Sequence, residues 1–200
     1  MVAKKGGSVD PLLLGTASAF GLASAAGLNT SLPLLIVGLA ARFGLLALAA
    51  PYDAIGSDLA LIGLAVLATI ELVGDKVPAL DSVVHAVQWP LAMAAGAILF
   101  ASQQSIVQDV SPGLAILVGV LTAGGVHTVR ALVRPAVNLG TMGLGGPVIS
   151  TIEDVLAVTL SLAALLAPLL GLVLAVTLLA VAGRTAAGAL RRRRQVNAQS

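Results

Sequence analysis

Six apolar blocks, at 12–48, 58–74, 82–101, 113–134, 149–166 and 168–186, leave little of this chain for anything else. A helix needs about 20 apolar residues to cross the hydrocarbon of a bilayer, so each later block fits one crossing, the last two being short and tightly joined. The first block is 37 residues long. That is too long for one straight crossing, and it has to be broken, re-entrant or doubled. A soluble alternative fails on composition. Soluble domains are about 25% charged, whereas this chain is 10% charged and 58% hydrophobic, with a mean hydropathy of +1.04. The expectation is an all-α integral membrane protein. With 22 Gly and only 2% aromatic residues, its helices must pack through small side chains.

Helix starts are marked by Ser57-Asp58, Asp81-Ser82, Ser111-Pro112 and Ser150, each preceding an apolar run. The N-terminus has the outline of a signal peptide, but Asp10 and Pro11 interrupt it. A retained first helix is expected, with Ser8 or Asp10 as N-cap and Pro11 at its first position. The stretch "STIE" at 150–153 has the form of a capping box, with Ser150 as N-cap and Glu153 reaching back.

Inside the first block, "SAAGLNTSLPLL" (24–35) crowds Gly27, Asn29, Thr30, Ser31 and Pro33 into seven positions. A break over 27–33 is expected. "TAGGVHTVRALV" (122–133) aligns with it through Ala25/Ala123, Gly27/Gly125, Thr30/Thr128 and Leu34/Leu132. This predicts a second break at 124–128 and about six transmembrane segments in two three-segment halves. The divisions are a cytoplasmic N-terminus (1–11), a first membrane half (12–102), a linker (103–112), a second half (113–186) and a basic cytoplasmic tail (187–200). Ten of the eleven Lys and Arg lie at Lys4-Lys5, Lys76, Arg130/Arg134, and Arg184 with Arg191–Arg194. Three crossings per half put all of these inside, as the positive-inside rule favours. The halves are then inverted repeats with both termini cytoplasmic.

"GLNTSLPLL", "IELVGDKVPALD" (70–81) and "GGVHTVRALVRPAVN" (124–138), in that order and spacing, resemble the bacterial integral-membrane family catalogued as domain of unknown function 4126. The resemblance covers about residues 12–182 and implies a multi-pass protein of a bacterial cytoplasmic (inner) membrane. Family members often continue with a Ser-Pro-Glu-Pro-like segment, where this chain has "LGTMGLGGP", so any role for that acidic position is missing here. The family's name carries no activity, and function rests on the residues.

His127, Arg130, Arg134 and Asn138 share one helical face at spacings of 3, 4 and 4, with Pro135 a candidate helix end before Asn138. Two guanidinium forks beside an imidazole suit a phosphate or carboxylate; arginines that merely snorkel to lipid phosphates are the alternative. Asn29 and Thr30 are expected to face His127 and Thr128 across a midplane site. Glu71, Asp75 and Lys76 form either an ion-pair network with Arg130 and Arg134 or a proton-coupling group, with Glu71 deepest. His85 is a lone packed histidine.

With two His and no Cys, no metal site or cofactor is expected, and no nucleophile elbow, P-loop or zinc motif marks an enzyme. The tail at Arg191, Arg192, Arg193 and Arg194 suits anionic lipid, not nucleic acid, since aromatics are absent there. The leading function is a small transporter or channel for an anionic solute or lipid phosphate headgroup. The alternative is a membrane scaffold whose buried polar groups are structural. Small size suggests a homodimer, with "AMAAGAIL" (92–99) as its candidate interface.

Overall fold

Seven helices are described: α1 (Pro11–Leu28), α2 (Ser31–Arg42), α3 (Asp58–Gly74), α4 (Asp81–Ala101), α5 (Pro112–Gly140), α6 (Gly145–Leu166) and α7 (Pro168–Asn197), with a 3-10 turn at Tyr52–Gly56. This computed structural model describes residues 10–76, 81–103, 106, 109–140 and 145–197, without the side chains of 81–86, 135–140, 182, 185–186 and 189–197. The expected roles of Lys4, Lys5, Asp81, His85, Asn138 and Arg191–Arg194 therefore lie outside the described residues. Pro11–Leu28, Pro112–Arg134 and Gly145–Leu166 are long and apolar enough to cross a membrane, and Ser31–Arg42, Val87–Ala101 and Pro168–Val181 are shorter apolar stretches. Among the described residues the only pairing of strand type is an isolated bridge between Leu48 and Gln103.

Local signals explain most boundaries. The Asp10 carboxylate accepts from the Leu12 N–H at 3.0 Å and Pro11 opens α1, while Ser57 caps α3 by accepting from the Ala60 N–H at 3.3 Å. The predicted Ser150 cap is overturned. Helix α6 begins five residues earlier, at Gly145, and Ser150 is wholly buried within it. Pro147 lies in that first turn, where a missing N–H costs nothing.

Helix α1 is the centre, packed against α4, α5, α6 and α7. Its early residues Ala19 and Ala23 meet Ala101 at the end of α4 and Ala115 at the start of α5. Its last residue, Leu28, meets Val126 of α5 and Ala157 of α6. The chain then reverses at Asn29, which is extended at φ −143° and ψ 127°. Helix α2 returns antiparallel to α3: Ser31 meets Glu71, and Arg42 pairs with Asp58 at 2.8 Å. After α2, the Ala49 N–H donates to the Ser102 carbonyl at 2.8 Å, beside the end of α4. Helices α1 and α2 are thus the two legs of an antiparallel hairpin whose tip is buried in the protein.

This corrects four expectations. The break is confined to Asn29 and Thr30, because Gly27 lies in α1 and Pro33 in the first turn of α2, where proline is tolerated. No break occurs at 124–128, since α5 is continuous through Gly140 and past Pro135. Inverted repeats require equivalent helices to run in opposite directions. Yet α1 and α5 run the same way, Ala19 lying near Ala115 and Gly27 against Val126. Finally, the Pro11 end of α1 lies with Ala101 and Pro112, whereas α7 runs from there toward Leu28 and Arg130. Pro11 and the far end of α7 therefore lie at opposite ends of the bundle. One cause underlies the last two corrections: the first block makes two legs, not one, which changes the parity of everything after it. Helix α7 also runs unbroken across the expected boundary at 186–187.

The stripe proposed for a dimer is used within the chain. Ala92, Ala95 and Leu99 are buried, and Gly96 lies on Gly119 and Ala123 of α5 so closely that a β-carbon could not fit. At Gly27 a β-carbon would sit 2.5 Å from the Val126 β-carbon and 2.6 Å from the Ala123 carbonyl oxygen. Large apolar side chains such as Leu59, Ile62, Val66 and Ile70 on α3 and Val148, Ile152 and Val155 on α6 face outward. Apolar outward faces on tightly packed small-residue helices suit lipid as the surrounding solvent.

Gly27→Val should overpack the α1–α5 crossing and destabilise by about 1–3 kcal/mol or more. Gly63 of α3 meets nothing, so Gly63→Ala should stabilise by about 0.5–1 kcal/mol through lost unfolded-state freedom. Thermal unfolding of detergent-solubilised variants checks both.

Candidate functional site

Four helices bring polar or charged side chains to the hairpin tip. Helix α5 presents His127, Arg130 and Arg134 on one face, all buried. Helix α3 ends in Glu71 and Asp75, α4 contributes Gln88, and α6 contributes Glu153 and Asp154, all buried as well.

The arginines and two carboxylates close a square. Arg130 donates from Nη2 to Asp75 Oδ2 at 2.5 Å and from Nε to Glu153 Oε2 at 2.8 Å. Arg134 reaches the same two oxygens, with Nη2 2.5 Å from Glu153 Oε2 and 3.2 Å from Asp75 Oδ2. Gln88 Nε2 donates to the remaining Asp75 oxygen at 3.0 Å. Every member is buried, so the pairing is obligatory: an ion taken from water into the interior costs several kcal/mol unless its partner is well placed.

Beside the square, Asp154 ties α6 to the hairpin and to α3. Its Oδ1 accepts from Asn29 Nδ2 at 2.9 Å, and its Oδ2 meets Lys76 Nζ at 3.1 Å. Lys76 also donates to the Leu72 carbonyl at 2.9 Å and is half exposed at the edge of the cluster. Asn29 turns its Oδ1 to the Leu32 N–H at 3.0 Å, capping α2 from its own N-terminal flank. Glu71 caps the same helix from a distance, its Oε2 accepting from the Ser31 N–H at 3.0 Å. A carboxylate there also meets the positive end of the α2 dipole.

The expected residues separate accordingly. Asn29, Thr30, His127, Arg130 and Arg134 are buried in this region, and Asp75 and Lys76 join the network. Glu71 does not pair with the arginines but holds the hairpin tip. Thr128 is on the other side: it is exposed, and its hydroxyl donates to the Gly124 carbonyl at 2.7 Å. Asn29 accordingly turns to Asp154, not to Thr128.

Sequence reading passed over Glu153, Asp154 and Gln88 as site members. The spacing from Ser150 makes Glu153 a cap only if the helix starts at Ser150. Two adjacent carboxylates inside an apolar block, more than two turns into α6 once it starts at Gly145, were the available signal. A groove of about 220 Å³ opens beside the square between α5, α6 and α7, lined by Val126, Val129, Leu156 and Leu178, with Arg130 and Glu153 at its polar end.

The family model for the domain of unknown function DUF4126 matches residues 16–187, and the chain belongs to that family. The match takes in every residue of the charged cluster and the hairpin from residue 16 through its tip and second leg. It is thus a membrane-type, all-helical member of that family. No curated protein and no solved structure matches the chain.

Glu153→Gln removes one charge from an oxygen shared by both arginines and should destabilise by about 3–5 kcal/mol, the cost of breaking a buried pair. Thr128→Ala, outside the network, should stay within about 0.5 kcal/mol. Thermal unfolding of the two variants side by side tests the assignment.

Proposed function

We propose that the protein is a small membrane transporter or channel for an anionic solute or a lipid phosphate headgroup, acting through Arg130 and Arg134 and without enzymatic chemistry. The observation that carries this reading is the hairpin with its polar tip buried against a charged cluster. Non-helical backbone at membrane depth is tolerated only where protein or a watery cavity satisfies it, and transporters and channels use such tips at their ligand sites. Buried charge in a membrane helix bundle is costly and typically marks an ion or substrate path.

In this reading Asp75 and Glu153 occupy the arginine forks at rest. An incoming phosphate or carboxylate offers a pair of anionic oxygens to a guanidinium fork and displaces one of the two side chains. The groove with Arg130 and Glu153 at its end gives such a ligand a lateral approach from the lipid side. A scaffold is the second reading. It is favoured by the same closed square, since a fully paired network also fixes helix packing with no ligand at all.

For orientation we place the Asp75–Arg134 end in the cytoplasm. Lys76, Arg130, Arg134 and Arg184 fall toward that end, as positive-inside counting favours. The tail then lies where anionic lipid attracts it, at about 1 kcal/mol per basic residue. In this cysteine-free chain, Asp53→Cys should be labelled by an impermeant maleimide from outside intact cells and Arg184→Cys should not. The reverse pattern sinks the orientation.

Arg130→Lys and Arg134→Lys keep the charge but lose the fork. Each should fold yet bind or transport anions about ten- to a hundredfold less well, the loss of one charged hydrogen bond. Uptake into proteoliposomes across a panel of phosphates and carboxylates is the measurement. Unchanged uptake in both variants, or none in the wild type, leaves the scaffold.

A further inference from the structure

The cluster does not balance. Arg130, Arg134 and Lys76 supply three cations against the four carboxylates Glu71, Asp75, Glu153 and Asp154. Among the described Lys, Arg, Asp and Glu side chains of the cluster, one negative charge is in excess. The ion pairs show where it sits. Asp75 and Glu153 share the arginines, and Asp154 has Lys76. Among the described residues no cation lies within ion-pair distance of Glu71, which is 3% exposed. Only one of its oxygens is used: Oε2 takes the Ser31 N–H, while Oε1 has no hydrogen-bond partner.

A second orphan lies beside it. The Ser31 hydroxyl is completely buried and makes no well-formed hydrogen bond, although the Thr30 and Ser31 side chains both lie close to the Glu71 carboxyl. Three oxygens, one anionic and two of hydroxyl type, thus converge at a break between helices, with two buried polar atoms unspent. Unsatisfied buried polar atoms are rare and call for a missing partner. An oxygen-rich pocket with one net negative charge suits a hard monovalent cation or a proton, and not an anion. Helix breaks with freed backbone carbonyls are where transporters hold coupling ions.

We propose that Glu71, Ser31 and Thr30 form a monovalent-cation site at the hairpin tip, binding one sodium ion or one proton. Bound Na⁺ takes Glu71 Oε1 and the two hydroxyls as ligands. A bound proton sits on Oε1 and is donated to Ser31 Oγ. Either form removes the excess charge and satisfies both orphan atoms. Since Glu71 Oε2 also holds the first N–H of α2, occupancy bears directly on the hairpin tip. Other charged groups on the neighbouring elements are remote or engaged. Asp75 lies one turn on and is paired with the arginines. Arg42 of α2 and Asp58 pair at the far end of α3, near Asp53 of the 3-10 turn. Helix α4 brings Gln88 to Asp75, and its Asp81 and His85 side chains lie outside the described residues.

The site rests on the hairpin tip and not on the arginine pair, so it is tested with no anion present. The purified wild-type chain in lipid nanodiscs is titrated with NaCl in choline buffer by calorimetry. Its infrared spectrum is recorded in H₂O and D₂O. In the sodium case, one Na⁺ binds per chain, weakened roughly tenfold in Ser31→Ala, as expected for one lost bond to a charged partner, and abolished in Glu71→Gln. In the proton case, NaCl gives no binding heat, but a protonated-carboxyl carbonyl band is present, shifts in D₂O and vanishes in Glu71→Gln. Where Glu71→Gln does not fold, Ser31→Ala decides, because it keeps the backbone N–H that caps α2 and must weaken Na⁺ binding or shift that band. Sodium binding or a carboxyl band that both variants leave unchanged overturns the site, as does the absence of both in wild type, which would assign the balancing charge to His127. Neither failure touches anion uptake through Arg130 and Arg134.

Discussion

A helical hairpin can turn round inside a membrane protein only if its tip is given hydrogen-bond partners from elsewhere in the fold. Here Asp154 of α6 and Glu71 of α3 supply them, through Asn29 Nδ2 and the Ser31 N–H. In water those groups would be solvated at no cost. At membrane depth each unsatisfied backbone group costs several kcal/mol, so the two carboxylates are a condition of the fold. The Asp154 charge is met by Lys76, and the square of Arg130, Arg134, Asp75 and Glu153 packs beside it.

Close helix approach makes this arrangement possible. Glycine at 27 lets α1 lie against Ala123 and Val126, and glycines at 96 and 119 bring α4 onto α5. Bulkier residues would hold the helices apart and open the polar cluster to lipid, where neither arginine nor carboxylate is stable. Small residues along the helices and charged residues at one end are thus parts of one solution.

Replacing a buried ion pair by apolar residues is often neutral or stabilising, so a network of seven ionisable groups is a costly way to fix helix packing alone. An exchangeable network is another matter. Carboxylates resting in arginine forks can yield to an anionic ligand, and an unpaired carboxyl at a hairpin tip can take up a cation. Both properties belong to the proposed reading and arise from imbalance or interchange of charge.

Much was legible in the sequence because solvent matching is local. Apolar blocks, caps at Asp10 and Ser57, the proline at 11 and the face shared by His127, Arg130 and Arg134 follow from spacing and residue type, and the helices confirm them. The break at Asn29 was visible for the same reason, since polar side chains inside an apolar run have no local partner. What the sequence could not decide was direction. Whether Asn29 ends one crossing or turns a hairpin depends on Asp154, 125 residues away, and no local pattern encodes that partner. The hairpin set the direction of the later helices relative to α1, put Pro11 and the far end of α7 at opposite ends of the bundle, and made α1 and α5 parallel, not inverted. Glu153 shows the same limit. Its spacing from Ser150 fits a cap, but Arg130 and Arg134 approach it from another helix, and a buried charge answers to the partner that neutralises it in space, not to its neighbours along the chain.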